Sequence, residues 1–395
     1  MEENKNIIAK QALSVVNSSF SFSNYFCDVL IDTIHDNTGN QYKNLRIKNI
    51  SGKHIDFNFT QALYKKTDSI QEHNILMEFI SIPNDDANSL TKFFINNGFI
   101  LHNSVEEYVL YSCTDLHAIV KRVKCLVELI MELQKGSLLN EILLKNTIYL
   151  LLSDPIIISN DTNSKEKHTL QDATIIYNSG KRTIHSCIFD YNTLGPDPHV
   201  LLDYDQDLHA DAYMDFENSK KEFKDELKFS LTLNYLFRHN ISPETRAQIS
   251  FLYKLVNISG IDQINTKEGV VFTKKIQTII NAFDDELKSR LTNIAKHVIK
   301  TELDFNISRI RPSYNTDTLL GSWKIPDLLS AIYFSIFFLN PNFEIIKKCA
   351  NSTCPNYYSV LHSNKRKKYC SQQCANAVNQ RKSRARRQSK TIQSD

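Results

Sequence analysis

Glycine is scarce in this chain, with nine in 395 residues, and tryptophan occurs once. The glycine shortage excludes a Gly-rich phosphate loop, and neither a nucleophile elbow nor a His-Glu-x-x-His run is present, so nothing marks an enzyme. Long apolar runs are also missing. The longest, "LLSAIYFSIFFL" at 328–339, has twelve residues, well short of the ~20 that span a bilayer. The start, "MEENKNIIAKQ", offers no apolar signal segment. A cytoplasmic protein without membrane contact is expected.

What is absent locally matters more. Between positions 347 and 390 there is no Asp or Glu, while twelve Lys or Arg fall in that run. Residues 345–395 carry twelve cations and one acid (+11), so the remaining 344 residues carry −8 of the total +3. A basic tip on an acidic body suits contact with a polyanion. At 42% apolar and 23% charged residues, the rest of the chain can bury a real core.

The pattern along the body reads as mainly α within an α+β class: a helical body with a minor antiparallel sheet. Residues 1–25 and "YFCDVLIDTI" suggest amphipathic helix. "LRIKNISGKHIDFNFT" suggests two short strands about a Ser-Gly turn, and "NILMEFISIP" a third. Asn84 or Asp85 can cap a helix that Gly98 ends. "SVEE" at 104–107 is a capping box opening a long helix striped by Val109, Leu116, Val120, Val123, Val127 and Ile130. Strands are expected between 155 and 205, then a helix capped by Ser242 with Pro243 at its first position. Two more helices follow, a long amphipathic one near 273–303 and an apolar one at 325–339 that Trp323 anchors. These divide the chain into an α+β region (1–215), a helical region packing on it (216–342) and a small basic module (343–395).

Cysteine usage separates the module from the body. Cys27, Cys113, Cys125 and Cys187 are scattered and fit the core as small hydrophobes. Cys349, Cys354, Cys370 and Cys374 instead form a Cys-x4-Cys pair and a Cys-x3-Cys pair, fifteen residues apart. Two close pairs across a short loop supply the four thiolates of a tetrahedral, structural Zn2+ site, with no coordination position left open for catalysis. His362, in mid-loop, is read as a spectator. A segment with so few large apolar residues would draw on zinc to fold, where binding contributes ~10–16 kcal/mol. A knuckle, a hairpin and a helix from Ser371 to about Gln388 make a treble-clef-like finger.

Its cations exceed what a tetrathiolate centre needs for charge balance. The surplus lies in two sets, Lys365, Arg366, Lys367 and Lys368 on the loop, and Arg381, Lys382, Arg384, Arg386, Arg387 and Lys390 on the helix. Both suit phosphate contacts. Asn376, Asn379, Gln380 and Arg384 have the chemistry of base readers. Elsewhere, "DYDQDLHADAYMD" at 203–215 fails as a calcium loop, because Leu208 replaces the turn Gly and Met214 the closing Glu.

The motifs "CANSTC" and "YCSQQC", with Asn376 and the basic run that follows, resemble the CGNR zinc-finger family, proteins described as bacterial transcription regulators. Ala375 and Ala377 stand where that family has Gly and Arg. The resemblance covers about 45 residues and implies zinc, nucleic acid (double-stranded DNA) and transcriptional regulation, with a body that senses an effector or forms a homo-oligomer. Two other readings remain open. One is an RNA-binding or ribosome-associated protein that stacks bases on Tyr357 and Tyr358, unless those rings pack the hairpin. The other is an interaction or enzymatic body that uses the finger for docking.

Overall fold

The computed structural model describes residues 20–35, 39, 41–59, 63–65, 73–136, 140–153, 156–159, 167–169, 251, 255, 258, 261–316, 320–337, 339, 344–361, 364 and 366–392. Cys187, His362, Lys365, the Ser242–Pro243 helix start and the acidic loop at 203–215 lie outside them. The chain forms two compact units: residues 1–127, 156–168 and 302–395 make the first, and 128–155 with 169–301 the second. Eight helices and several small antiparallel sheets occur among the described residues, so the class is α+β.

The first unit is built on a five-stranded antiparallel sheet. β1 (Phe20–His35) runs against β2 (Gln41–Phe59), and β2 also pairs with β3 (Leu63–Lys65) and β5 (Val109–Ser112); β4 (His73–Asn74) joins β3. Two expectations change here. The segment "YFCDVLIDTI" is strand, because alternate residues Cys27 and Val29 face the core while Asp28 and Leu30 face out. Likewise, the Ser-Gly step does not reverse the chain. Tyr25 pairs with His54 and Cys27 with Asn49, so one residue of β1 faces four of β2. Gly52, at φ 71°, lets β2 bulge and continue as one strand.

"ILMEFI" is also not a strand. It forms α1 (Ile75–Ile80), begun by the Asn74 side chain, which accepts from Met77 N–H at 3.2 Å. Burial overrides β-propensity here, since five of its six residues are buried. α2 (Ala87–Asn97) is capped by Asp86, one residue past the expected pair, and stops at Gly98. A side chain at Gly98 would collide with the Tyr25 carbonyl, and its φ of +78° is left-handed. The Cys27 thiol donates to Phe94 O at 3.1 Å, fastening β1 to this helix.

Ser104 accepts from Glu106 and Glu107 N–H, at 3.1 and 3.3 Å, but the helix does not open there. Pairing with β2 captures Val109–Ser112 as β5 first. Then α3 (Cys113–Gln134) carries the expected stripe of Leu116, Val120, Val123 and Val127 into the interior. Buried polar groups close on one another: Asn103 Nδ2 donates to Ile47 O at 2.9 Å, and Tyr111 OH donates to Asn103 Oδ1 at 2.9 Å. The buried Arg122 guanidinium meets both Glu302 oxygens at 2.7 Å, and Tyr333 OH adds a 3.3 Å bond.

In the second unit, α4 (Glu141–Leu152) starts at Asn140, whose side chain accepts from Leu143 N–H at 2.9 Å. It packs near α5 (Ile276–Asn281) and the hairpin of β8 (Ile261–Asn265) with β9 (Gly269–Phe272). The long amphipathic helix expected near 273–303 is divided. Asp284 accepts from Leu287 N–H at 2.7 Å and begins a new helix, α6 (Asp285–Ile307). The short strand β6 (Ile157–Ser159), in the first unit, pairs with β7 (Lys167–Thr169). Also there, β10 (Arg311–Asn315) pairs with β11 (Leu320–Lys324). α7 (Leu328–Phe337) is buried on every residue but the last, and Trp323 stacks edge-on against its Phe334 at 5.4 Å. Cys27, Cys113 and Cys125 are buried, as small core hydrophobes should be.

Candidate metal centre and basic helix

The cysteine cluster grows from a hairpin. β12 (Glu344–Lys348) pairs with β13 (Tyr357–Leu361), and Cys349 directly follows β12. The hairpin therefore encloses the first cysteine pair instead of lying between the two pairs. Within the knuckle, Cys354 N–H donates to Asn351 O and Cys349 N–H to Asn356 O, both at 2.9 Å. Ala350 N–H reaches Lys368 O at 2.9 Å, which brings the second cysteine pair alongside the first.

α8 (Gln372–Ile392) then begins, with Ser371 Oγ accepting from Cys374 N–H at 3.3 Å. That cap sets Cys374 in the first turn and Cys370 just before it. The four sulfurs lie within 4.8 Å of one another; Cys354–Cys370 is 3.7 Å and Cys370–Cys374 is 3.6 Å. A tetrahedron with Zn–S bonds near ~2.3 Å needs S–S separations of about 3.8 Å. The donor set and spacing thus fit Zn2+ as a structural, fully thiolate-bound ion. Around the sulfurs is a small core of Cys349, Tyr358 and Val360, with Ile345 and Tyr369 against it.

Local electrostatics distinguish the thiols. Hydrogen bonds from the Asn351 side chain, and then from Ser371, draw Cys374 down to about 7. Burial, and then its sulfur neighbours, push Cys370 up to about 12.

The basic residues fall into distinct settings. Arg366, Lys367, Lys368, Arg381, Lys382 and Arg384 are exposed, as is Asn376. Lys367 is partly committed to the hairpin, with its ammonium 5.4 Å above the Tyr358 ring and its carbonyl accepting from Tyr358 OH at 3.0 Å. Arg381 turns back to the knuckle, where it bonds Asn351 Oδ1 and, at 3.2 Å, Ser352 Oγ. Arg386, Arg387 and Lys390 are on α8 by position.

The finger is seated on its own unit. Tyr357 is buried, its N–H donates to Ser81 Oγ at 2.8 Å, and the Lys124 ammonium lies 5.6 Å above its ring. Ser81 and Lys124 carry no sequence signal for this role, because both are distant in the chain and chemically ordinary. Among the described residues, no helix is long and apolar enough to cross a membrane. No curated protein and no solved structure matches the chain. Residues 346–387, from within β12 through most of α8, match the family model described as CGNR zinc finger.

Proposed function

We propose that the protein binds nucleic acid as a DNA-binding transcriptional regulator, with α8 lying along the duplex. The observation that carries this reading is the placement of Lys382 and Arg384. Both are exposed on a helix whose first turn holds a metal ligand, with Arg366–Lys368 exposed on the loop just before it. A cationic rod fixed at one end presents its charges without paying to order them at each encounter. Strand, knuckle, strand and helix read as a variant of the treble-clef plan.

Single-stranded RNA is the weaker reading. Tyr357 and Tyr358, the rings that would stack unpaired bases, are 4% and 8% exposed and pack the hairpin. The remainder of the chain would sense an effector or dimerise.

The test is binding against salt. With ~6–8 phosphates neutralised, the log–log slope of affinity on salt should be about −5 to −7. A flat response would remove the reading. Duplex DNA should outcompete single-stranded RNA at fixed salt, and Cys370→Ser should abolish binding to both.

A further inference from the structure

We propose that Asn351 and Arg381 are positioning residues that join the metal site to the middle of α8, so that the metal-loaded knuckle sets the direction of the basic helix. The inference rests on the nucleic-acid reading of this module and assigns Arg381 a role other than phosphate contact.

Asn351 is only 5% exposed, inside the turn between the first two cysteines. Its side-chain Oδ1 accepts from the Arg381 guanidinium and from Thr353 Oγ1 at 3.1 Å. Arg381 adds Ser352 Oγ at 3.2 Å and, through Nε, Ala377 O at 3.3 Å. The turn between Cys349 and Cys354 is therefore bonded, through one buried amide, to a guanidinium thirty positions away.

The leverage follows from helix geometry. Arg381 is seven residues beyond Cys374, roughly 10 Å along the axis. Attached only at its first turn, α8 can pivot about the metal; attached also at Arg381, it cannot. Outer groups of this kind orient metal ligands elsewhere. Arg381 also places its positive charge beside a tetrathiolate centre. Lysine has no planar fork and cannot span Asn351 and Ser352 together.

The experiment uses the full chain loaded with zinc, its metal content checked, and a random-sequence DNA duplex. Arg381→Ala and Arg381→Lys should each bind roughly tenfold more weakly at fixed salt. Their salt slope should match the wild type, whereas Lys382→Ala should lose about 0.9 of slope. Amide exchange at residues 376–384 should quicken in both Arg381 variants, and Asn351→Ala should release zinc faster to a chelator. A slope loss of about 0.9 in Arg381→Ala, restored in Arg381→Lys, would make Arg381 a phosphate contact and overturn the proposal. If the chain binds no duplex at all, the functional reading fails by itself. The exchange and zinc-release measurements then decide the positioning role, and unchanged protection of α8 would overturn it.

Discussion

The backbone N–H of Tyr357 donates to the side-chain oxygen of Ser81 at 2.8 Å, across 276 positions of sequence. Ser81 Oγ also donates to Met77 O at 2.6 Å, so a single hydroxyl closes α1 and receives the finger. The zinc module is thereby part of a packed unit and not a bead on a tether. Any tilt of that interface is passed to α8.

Replacing Ser81 with alanine should leave the Tyr357 donor without its partner, at a cost of ~1–3 kcal/mol. Zinc content should be unchanged, because no ligand is touched. Hydrogen exchange is the readout: Tyr357 should lose protection while the rest of β13 keeps most of its own. Equal protection in the variant would show that the contact contributes nothing.

Metal removal should act locally. The finger's own core is Cys349, Tyr358 and Val360 with a few partly buried neighbours, too little to hold a fold without an ion. A strong chelator should expose residues 344–361 and 366–384 to proteolysis, while α7 stays protected. Loss of protection across both regions together would show that the finger supports the whole unit.

The Arg122–Glu302 pair should be costly to break and cheap to replace. Its side chains are 10% and 4% exposed, with Tyr333 bonded to the same carboxylate. Glu302→Gln should destabilise the unit by ~3–5 kcal/mol, since it strands a buried guanidinium. Arg122→Met combined with Glu302→Leu should recover most of that loss. Urea unfolding of the two variants measures the difference.

Alkaline pH should weaken the fold through Cys27. Burial, with the nearby Asp28 charge, pushes its thiol from 9.0 to about 12. A folded value raised above the unfolded one means full stability below pH 9 and progressive loss as pH rises toward 12. Burial raises Tyr111 and Tyr333 too, in the same direction. Cys27→Val should therefore show a shallower decline in stability over that window, by as much as ~1.4 kcal/mol per pH unit. Identical slopes would mean that Cys27 ionises equally in both states.

Local rules read correctly where neighbours in sequence are also neighbours in space. The spacing of Cys349, Cys354, Cys370 and Cys374 is met by sulfurs within 4.8 Å of one another. Gly98 ends its helix, and the stripe of α3 faces inward, because each depends on a turn or two of backbone. The misreadings share a different cause. "YFCDVLIDTI" and "ILMEFI" are short apolar runs that either period accommodates, and long-range pairing decides between them. β2 draws the first into a sheet; burial on all sides leaves the second a helix. Ser104 caps a turn as its motif implies, yet Val109–Ser112 goes to β2 before any helix can propagate.

By itself, then, the order of residues determined that a thiolate-bound ion sits near one end of the chain with an excess of positive charge about it. Sulfur spacing and charge density are properties of a short segment, and no distant contact changes them. Only the tertiary structure decided where that segment rests and which of its cations is bonded within it. Ser81 and Tyr357 meet through folding of the whole first unit, and Arg381 is turned to Asn351 by a contact thirty positions back. Such pairings are chosen by packing, whose energy depends on the whole unit at once.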